Sequence, residues 1–110
     1  MDDKANRISV LNDRLRQYHI GGHVVMTADV QALEPELLTG LTDAIADFNQ
    51  FSSDTNDPRL EHDCATIEFE GQIFIWKIDY YDKTLQAGSP DPSNRKITTR
   101  VMTIMLAAEY

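Results

Sequence analysis

Glu61-His62-Asp63-Cys64 sets an imidazole between two carboxylates, with a thiol close behind. A carboxylate can orient a histidine, and a histidine can activate a cysteine. The spacing works against that use. Neighbours on a strand point to opposite faces, so His62 and Cys64 would share a face that Asp63 does not. A His-x-Cys pair is also no recognised nucleophile signature. The preferred reading is a strand entry in which His62 and Asp63 bond to loop backbone. A small enzyme or ligand-binding domain using His62, Asp63 and Cys64 is the rival, and it requires a pocket where the three converge.

Metal and phosphate motifs are weaker. His19 and His23 have the count of a helical zinc pair, but Gly21-Gly22 lies between them and breaks the helix. His19, His23, His62 and Cys64 have suitable ligand types for zinc, yet no spacing specifies a site. Gly21-Gly22 matches neither a P-loop nor a dinucleotide fingerprint, so it reads as a turn. We expect no catalytic residue, no metal and no cofactor.

Three further groups are candidates for contact. Trp76-Lys77-Ile78-Asp79-Tyr80-Tyr81-Asp82 is the densest aromatic run. Trp76 and Tyr80 read as core, which leaves Lys77, Asp79 and Tyr81 on the opposite, polar side of a strand. Arg95, Lys96 and Arg100 form a late basic cluster, open to a phosphate or an acidic neighbour, with pairing to the acidic middle third of the same molecule preferred. Residues 29–70 hold eleven acids and one base, Arg59, a sum of −10. The two flanking segments each sum to +1, so the middle third supplies the whole net charge of −8. Carboxylates spaced along a helix and a strand can imitate the charge of duplex DNA and enter a basic channel.

These residues need elements to position them. Ile8, Leu11, Leu15 and Tyr18 recur at helical spacing, which predicts a helix over residues 3–18 that Gly21-Gly22 ends. His23 to Thr27 reads as a short strand. A second helix is expected from Pro35 to about Phe51, with Leu37, Leu38, Leu41, Ile45 and Phe48 as its apolar stripe. Residues 52–58 form a loop by composition. Ala65–Glu70 and Ile73–Tyr81 read as a hairpin that turns at Gly71-Gln72, with Phe74, Trp76, Ile78 and Tyr80 facing the core. Ser89-Pro90-Asp91-Pro92 belongs to a loop. Thr98 to Glu109 suits a strand by its Val, Ile and Thr, but its good helix formers favour a helix. The expected order is α-β-α-β-β-α: an α+β fold with a small, mainly antiparallel sheet and two to three helices.

The 110 residues fit a single domain. Leu, Ile, Val and Phe number 27, enough to build a core. The acidic balance excludes generic nucleic-acid binding, which needs a basic face. The single cysteine, Cys64, permits no intrachain disulfide. Met1-Asp2-Asp3-Lys4 has no apolar signal core, and no stretch has membrane-span length. A soluble, cytoplasmic protein is therefore expected.

Several segments together resemble the bacterial family called domain of unknown function 3768. They are Glu61-His62-Asp63, the run from Trp76 to Asp82, Gly88-Ser89-Pro90-Asp91-Pro92, and Thr99 to Ala107. The Ile8–Leu15 helix with Ile20-Gly21-Gly22 and its following strand looks similar too. Arg59-Leu60 stands where the family's glycine pattern would follow Asp57-Pro58. The resemblance supplies no catalytic residues. It implies small bacterial proteins, often on plasmids and other mobile elements, whose company includes inhibitors of CRISPR and restriction systems. The leading expectation is accordingly a non-enzymatic protein-interaction module, as in a counter-defence inhibitor. Its partner is the basic surface of a protein or nucleoprotein complex. Its contact residues are Glu34, Glu36, Asp43, Asp47, Glu68, Glu70, Lys77, Asp79 and Tyr81. A toxin–antitoxin or regulatory partner with a dimer face is the third reading. It leaves a homodimer open, since a buried and an exposed Met102/Met105 stripe look alike in sequence.

Overall fold

Helix α1 spans Asp3–Tyr18, as the apolar spacing predicts. It is followed by β1 (His23–Met26), a short helix α2 (Ala28–Gln31) and helix α3 (Pro35–Asp47). Then come β2 (Cys64–Phe69), β3 (Gln72–Tyr81), β4 (Thr99–Leu106) and a 3-10 turn over Ala107–Glu109. This computed structural model describes residues 3–110. Met1 and Asp2, part of the stretch read for a signal, lie outside the described residues.

The fold is α+β. Its sheet runs β1-β4-β3-β2, with β4–β3 and β3–β2 antiparallel and β1–β4 parallel. The sheet is therefore mixed, with antiparallel pairing in two of its three ladders. Strand alternation puts Phe74, Trp76 and Ile78 of β3 on one face, all buried. Their partners Met102 and Ile104 of β4 and Ala65 of β2 share that face. Leu15 of α1, Val30 of α2, and Leu41 and Ile45 of α3 complete this core.

Four expectations need correction. The last segment is a strand, so the order after α3 is β-β-β and the expected final helix is absent. Thr98–Glu109 does contain helix formers, but Thr99–Leu106 lies between β1 and β3 and satisfies its backbone on both sides. Two ladders outweigh a weak local propensity. Only Ala107–Glu109 keeps a helical turn. Second, α1 stops at Tyr18 as expected, but the left-handed residue that closes it is His19 rather than a glycine. His19 takes a φ of 56° and its N–H bonds to the Leu15 carbonyl at 2.9 Å. This is the left-handed closure usually made by glycine. Third, the hairpin turns at Glu70-Gly71, with φ of 51° and 78°, and Gln72 already pairs with Phe69. A two-residue turn with both φ positive matches the strand twist.

Helix α3 also stops at Asp47, short of Phe51. Residues 48–63 form a connection organised by Asp57. Its buried carboxylate accepts from the N–H groups of Glu61 (3.0 Å) and His62 (3.2 Å). No helix among the described residues is long and apolar enough to cross a membrane.

Candidate functional site

The acidic residues collect along the margin where α3 meets the edge strand β2. Glu34 and Glu36 stand at the start of α3, and Asp43 and Asp47 on its solvent side. Glu68 lies on β2 and Glu70 in the turn after it. All six are exposed, and none forms an ion pair among the described residues. A cleft of about 330 Å³ brings Asp47 and Glu68 together. A smaller one, about 120 Å³, joins Glu70 to Leu33 and Leu37, which bracket Glu34 and Glu36 in the chain.

Lys77, Asp79 and Tyr81 occupy the sheet face turned away from the helices. Lys77 Nζ donates to Asp79 Oδ2 at 2.6 Å, and this bond raises the Lys77 pKa above its usual value. On the same face lie Val101, half-buried and opposite Asp79, and Ile73, exposed, nearer the start of β3. Glu68 also alternates onto this face, opposite Ile73, so it links the acidic margin to the outer sheet surface.

The Glu61–Cys64 segment is divided by the fold. His62 has a φ of 57° and therefore does not follow strand alternation. Its ring stacks on Phe51, with centroids 4.1 Å apart, and its Nδ1 meets Asp13 Oδ1 of α1 at 3.0 Å. Cys64 instead pairs with Lys77 and faces the other side of the sheet. The cleft beside His62, about 220 Å³, is lined by Asp13, Arg16, Gln17, Phe48, Asn49 and Phe51. Neither Asp63 nor Cys64 belongs to it. Burial, then repulsion from Asp63, pushes the Cys64 thiol up, which disfavours the thiolate a nucleophile needs. Burial, then Glu61, likewise raises the Asp63 carboxyl. The expected sharing of a face by His62 and Cys64 fails because the loop enters β2 through a left-handed residue. Among the described residues, no group of three or more His, Cys, Asp or Glu side chains is placed to hold a metal ion.

The late basic cluster also separates. Arg95 and Lys96 are exposed in the loop before β4, whereas Arg100 is buried. Arg100 Nε donates to Asn12 Oδ1 at 2.8 Å, its Nη2 donates to the Pro92 carbonyl, and its guanidinium lies 5.2 Å from the Tyr80 ring. Asn12 Nδ2 in turn donates to the Glu61 carbonyl (3.0 Å) and to the Tyr80 hydroxyl (2.8 Å). The Tyr80 hydroxyl donates to Glu61 Oε1 at 2.9 Å. Burial holds the phenol protonated, well above its ordinary value. The expected pairing with the acidic third is thus reduced to this indirect link through Asn12 and Tyr80.

A second buried cation, Arg16, closes α3. Its Nη1 donates to the carbonyls of Ile45, Ala46 and Phe48, and its Nη2 pairs with Asp13 at 2.9 Å. A cation at a helix C-terminus meets both the orphan carbonyls and the negative dipole end. The apolar spacing of Ile8, Leu11, Leu15 and Tyr18 singles out neither Asn12 nor Arg16. The available signal was spacing: Ile8, Asn12 and Leu15 stand at i, i+4 and i+7, on one helix face.

These geometries frame what is known of similar chains. A family model described as "Protein of unknown function (DUF3768)" matches residues 26–109. The chain belongs to that family. No curated protein and no solved structure matches the chain. The DUF3768 match begins at the last residue of β1, so the likeness read into the N-terminal helix falls outside it. Asn12, Asp13 and Arg16 are outside it too. Of the segments that carried the DUF3768 resemblance, Thr99–Leu106 is β4, one of the two interior strands. Asp82 receives the N–H groups of Thr84 and Gln86 at 3.1 and 3.2 Å. Ser89 bonds Thr98 at 2.7 Å, and Thr98 donates to the Asp91 carbonyl at 3.0 Å. Those contacts organise the connection from β3 to β4.

Proposed function

We propose that this protein is a non-enzymatic interaction module whose acidic margin docks on a basic surface of a protein or nucleoprotein complex. The observation that carries the reading is that Glu34, Glu36, Asp43, Asp47, Glu68 and Glu70 are exposed along one margin, with no ion pair to them among the described residues. Arg59, the one base in residues 29–70, has no ion pair with them either. Such an array steers a cationic partner and competes with nucleic acid for a basic channel. Lys77, Asp79 and Tyr81 extend the contact over the outer sheet face, with Glu68 at the junction.

The partner class follows by analogy from charge and from the mobile-element setting of the resemblance. It is a nucleic-acid-handling bacterial defence complex, and the protein is its inhibitor, of the anti-CRISPR or anti-restriction type. In the DNA-mimicking form, the acids stand in for backbone phosphates.

The test is a competition assay. A purified CRISPR effector or restriction endonuclease is bound to labelled DNA, and the protein is titrated in at salt from about 0.05 to 0.5 M. DNA release should weaken steeply with salt. It should fall about tenfold or more when Glu36 and Asp43, or Asp47 and Glu68, are changed to Lys. Release indifferent both to salt and to these reversals, or no release from either class of complex, overturns the reading.

A further inference from the structure

The first half of α1 and the loop before β4 border an open cleft of about 570 Å³. Its lining includes Arg7, Val10 and Leu11 from the helix, and Asp91, Arg95 and Lys96 from the loop. A cation of the N-terminal helix thus meets two neighbouring cations of a late loop in one concavity. None of their side chains makes an ion pair or hydrogen bond among the described residues. The one acid in the lining, Asp91, is already engaged by the Ser93 hydroxyl at 2.6 Å and by Lys4 at 3.5 Å.

This is an unusual arrangement in a chain of net charge −8. Eighteen acids are available, yet these three cations are held together rather than dispersed among them. Mutual repulsion makes such a group receptive to an anion, and a concave wall focuses its field. The loop is also held in shape before any ligand arrives. Asn94 N–H bonds the Asp91 carbonyl at 3.0 Å, and Lys96 N–H bonds Asn94 Oδ1 at 3.0 Å. Arg100 anchors the loop from inside through the Pro92 carbonyl.

We propose that this cleft binds a small organic phosphate of nucleotide size. Arg7 and Arg95 present planar forks that match phosphate oxygens two at a time, and Lys96 adds a point charge. Val10, 51% exposed, and Leu11 offer apolar surface to the body of the ligand. The volume falls in the range of small-molecule sites. Nothing in this inference depends on the acidic margin, which lies on α3 and β2.

The test is a titration of the full-length protein with adenosine 5′-diphosphate, followed by backbone amide shifts. Saturable shifts confined to residues 6–11 and 91–97 are expected at concentrations up to about 10 mM. Affinity should fall about tenfold or more in Arg95→Glu and in Lys96→Glu, and be kept in Arg59→Glu, an exposed arginine elsewhere. Arg95 and Lys96 are exposed, so the variants stay folded, and unchanged circular dichroism checks this. No saturable shift, or equal losses in Arg95→Glu and Arg59→Glu, overturns the site. Inorganic pyrophosphate binding as tightly as the nucleotide overturns the role given to Val10 and Leu11. Sedimentation supplies the last arm. If Arg95→Glu abolishes a dimer instead, the cleft seats a second copy's acids and the small-ligand assignment fails.

Discussion

Gly22 enters β1 against the Arg100 backbone, where a Cβ would stand 2.6 Å from the carbonyl oxygen and 2.9 Å from Leu15. The close approach lets α1 and β4 meet around Arg100. Gly22→Ala should therefore destabilise by about 1–3 kcal/mol. Chemical denaturation would show a lower midpoint at unchanged slope, and an unmoved midpoint would mean that β1 gives way freely. The sequence marked Gly21-Gly22 as a turn, which covers Gly21 with its φ of 89° but not the packing role of Gly22. His62 teaches the same lesson. Its neighbours in sequence are two carboxylates and, one residue on, a thiol. Its partners in space are Phe51 and Asp13, brought there by a left-handed backbone that no local pattern announced.

At the scale of elements, α1 and the inward face of β3 were legible from their apolar period, and the start of α3 from Pro35 in its first turn. The final segment carried two periods. Read as a helix it gives Val101, Ile104, Met105 and Ala108; read as a strand it gives Met102, Ile104 and Leu106. Met102 and Met105 are both buried in the strand, on opposite faces, which no helical stripe would produce. The connection from β3 to β4 is held by two carboxylates. Hydrogen bonds from the Thr84 hydroxyl lower the Asp82 pKa, and those from Ser93 lower that of Asp91, relative to the ordinary 3.8. A lowered folded value means their support is complete above 3.8 and is lost as pH falls through the depressed values. Amide exchange at Thr84, Gln86 and Ser93 should accelerate on acidification below that point. Asp82→Ala, which removes the acceptor, should exchange rapidly at Thr84 and Gln86 already at neutral pH. Protection that persists unchanged in acid would remove these carboxylates from the loop's support.

For the whole molecule, charge is segregated rather than blended. Carboxylates lie along α3 and β2, and cations gather beside α1 and residues 91–96. The cations Arg16 and Arg100 are spent inside, on carbonyls and on Asn12. Six exposed acids with no ion pair among the described residues repel one another, at a cost to the native state. Raising salt from about 0.02 to 0.3 M shortens the screening length from roughly 20 to 6 Å. The thermal midpoint should then rise by about 2–5 °C. Glu36→Lys with Asp43→Lys should raise it at low salt and shrink the increment. A midpoint that falls with salt would show that attraction, not repulsion, dominates this surface.

The sequence by itself determined the fold class, most of the elements, the inward face of β3 and the location of the excess charge. Those depend on periodicity and composition, which are local. The tertiary structure alone decided that the last segment is a strand, since a strand's stability lies in the neighbours it pairs with. It alone decided that Asn12 and Arg100 share a buried network, that Arg16 closes α3, and that Arg7 joins Arg95 and Lys96. Each of those contacts joins residues far apart in the chain. Burial then sets whether a charge becomes an internal partner or a surface for others.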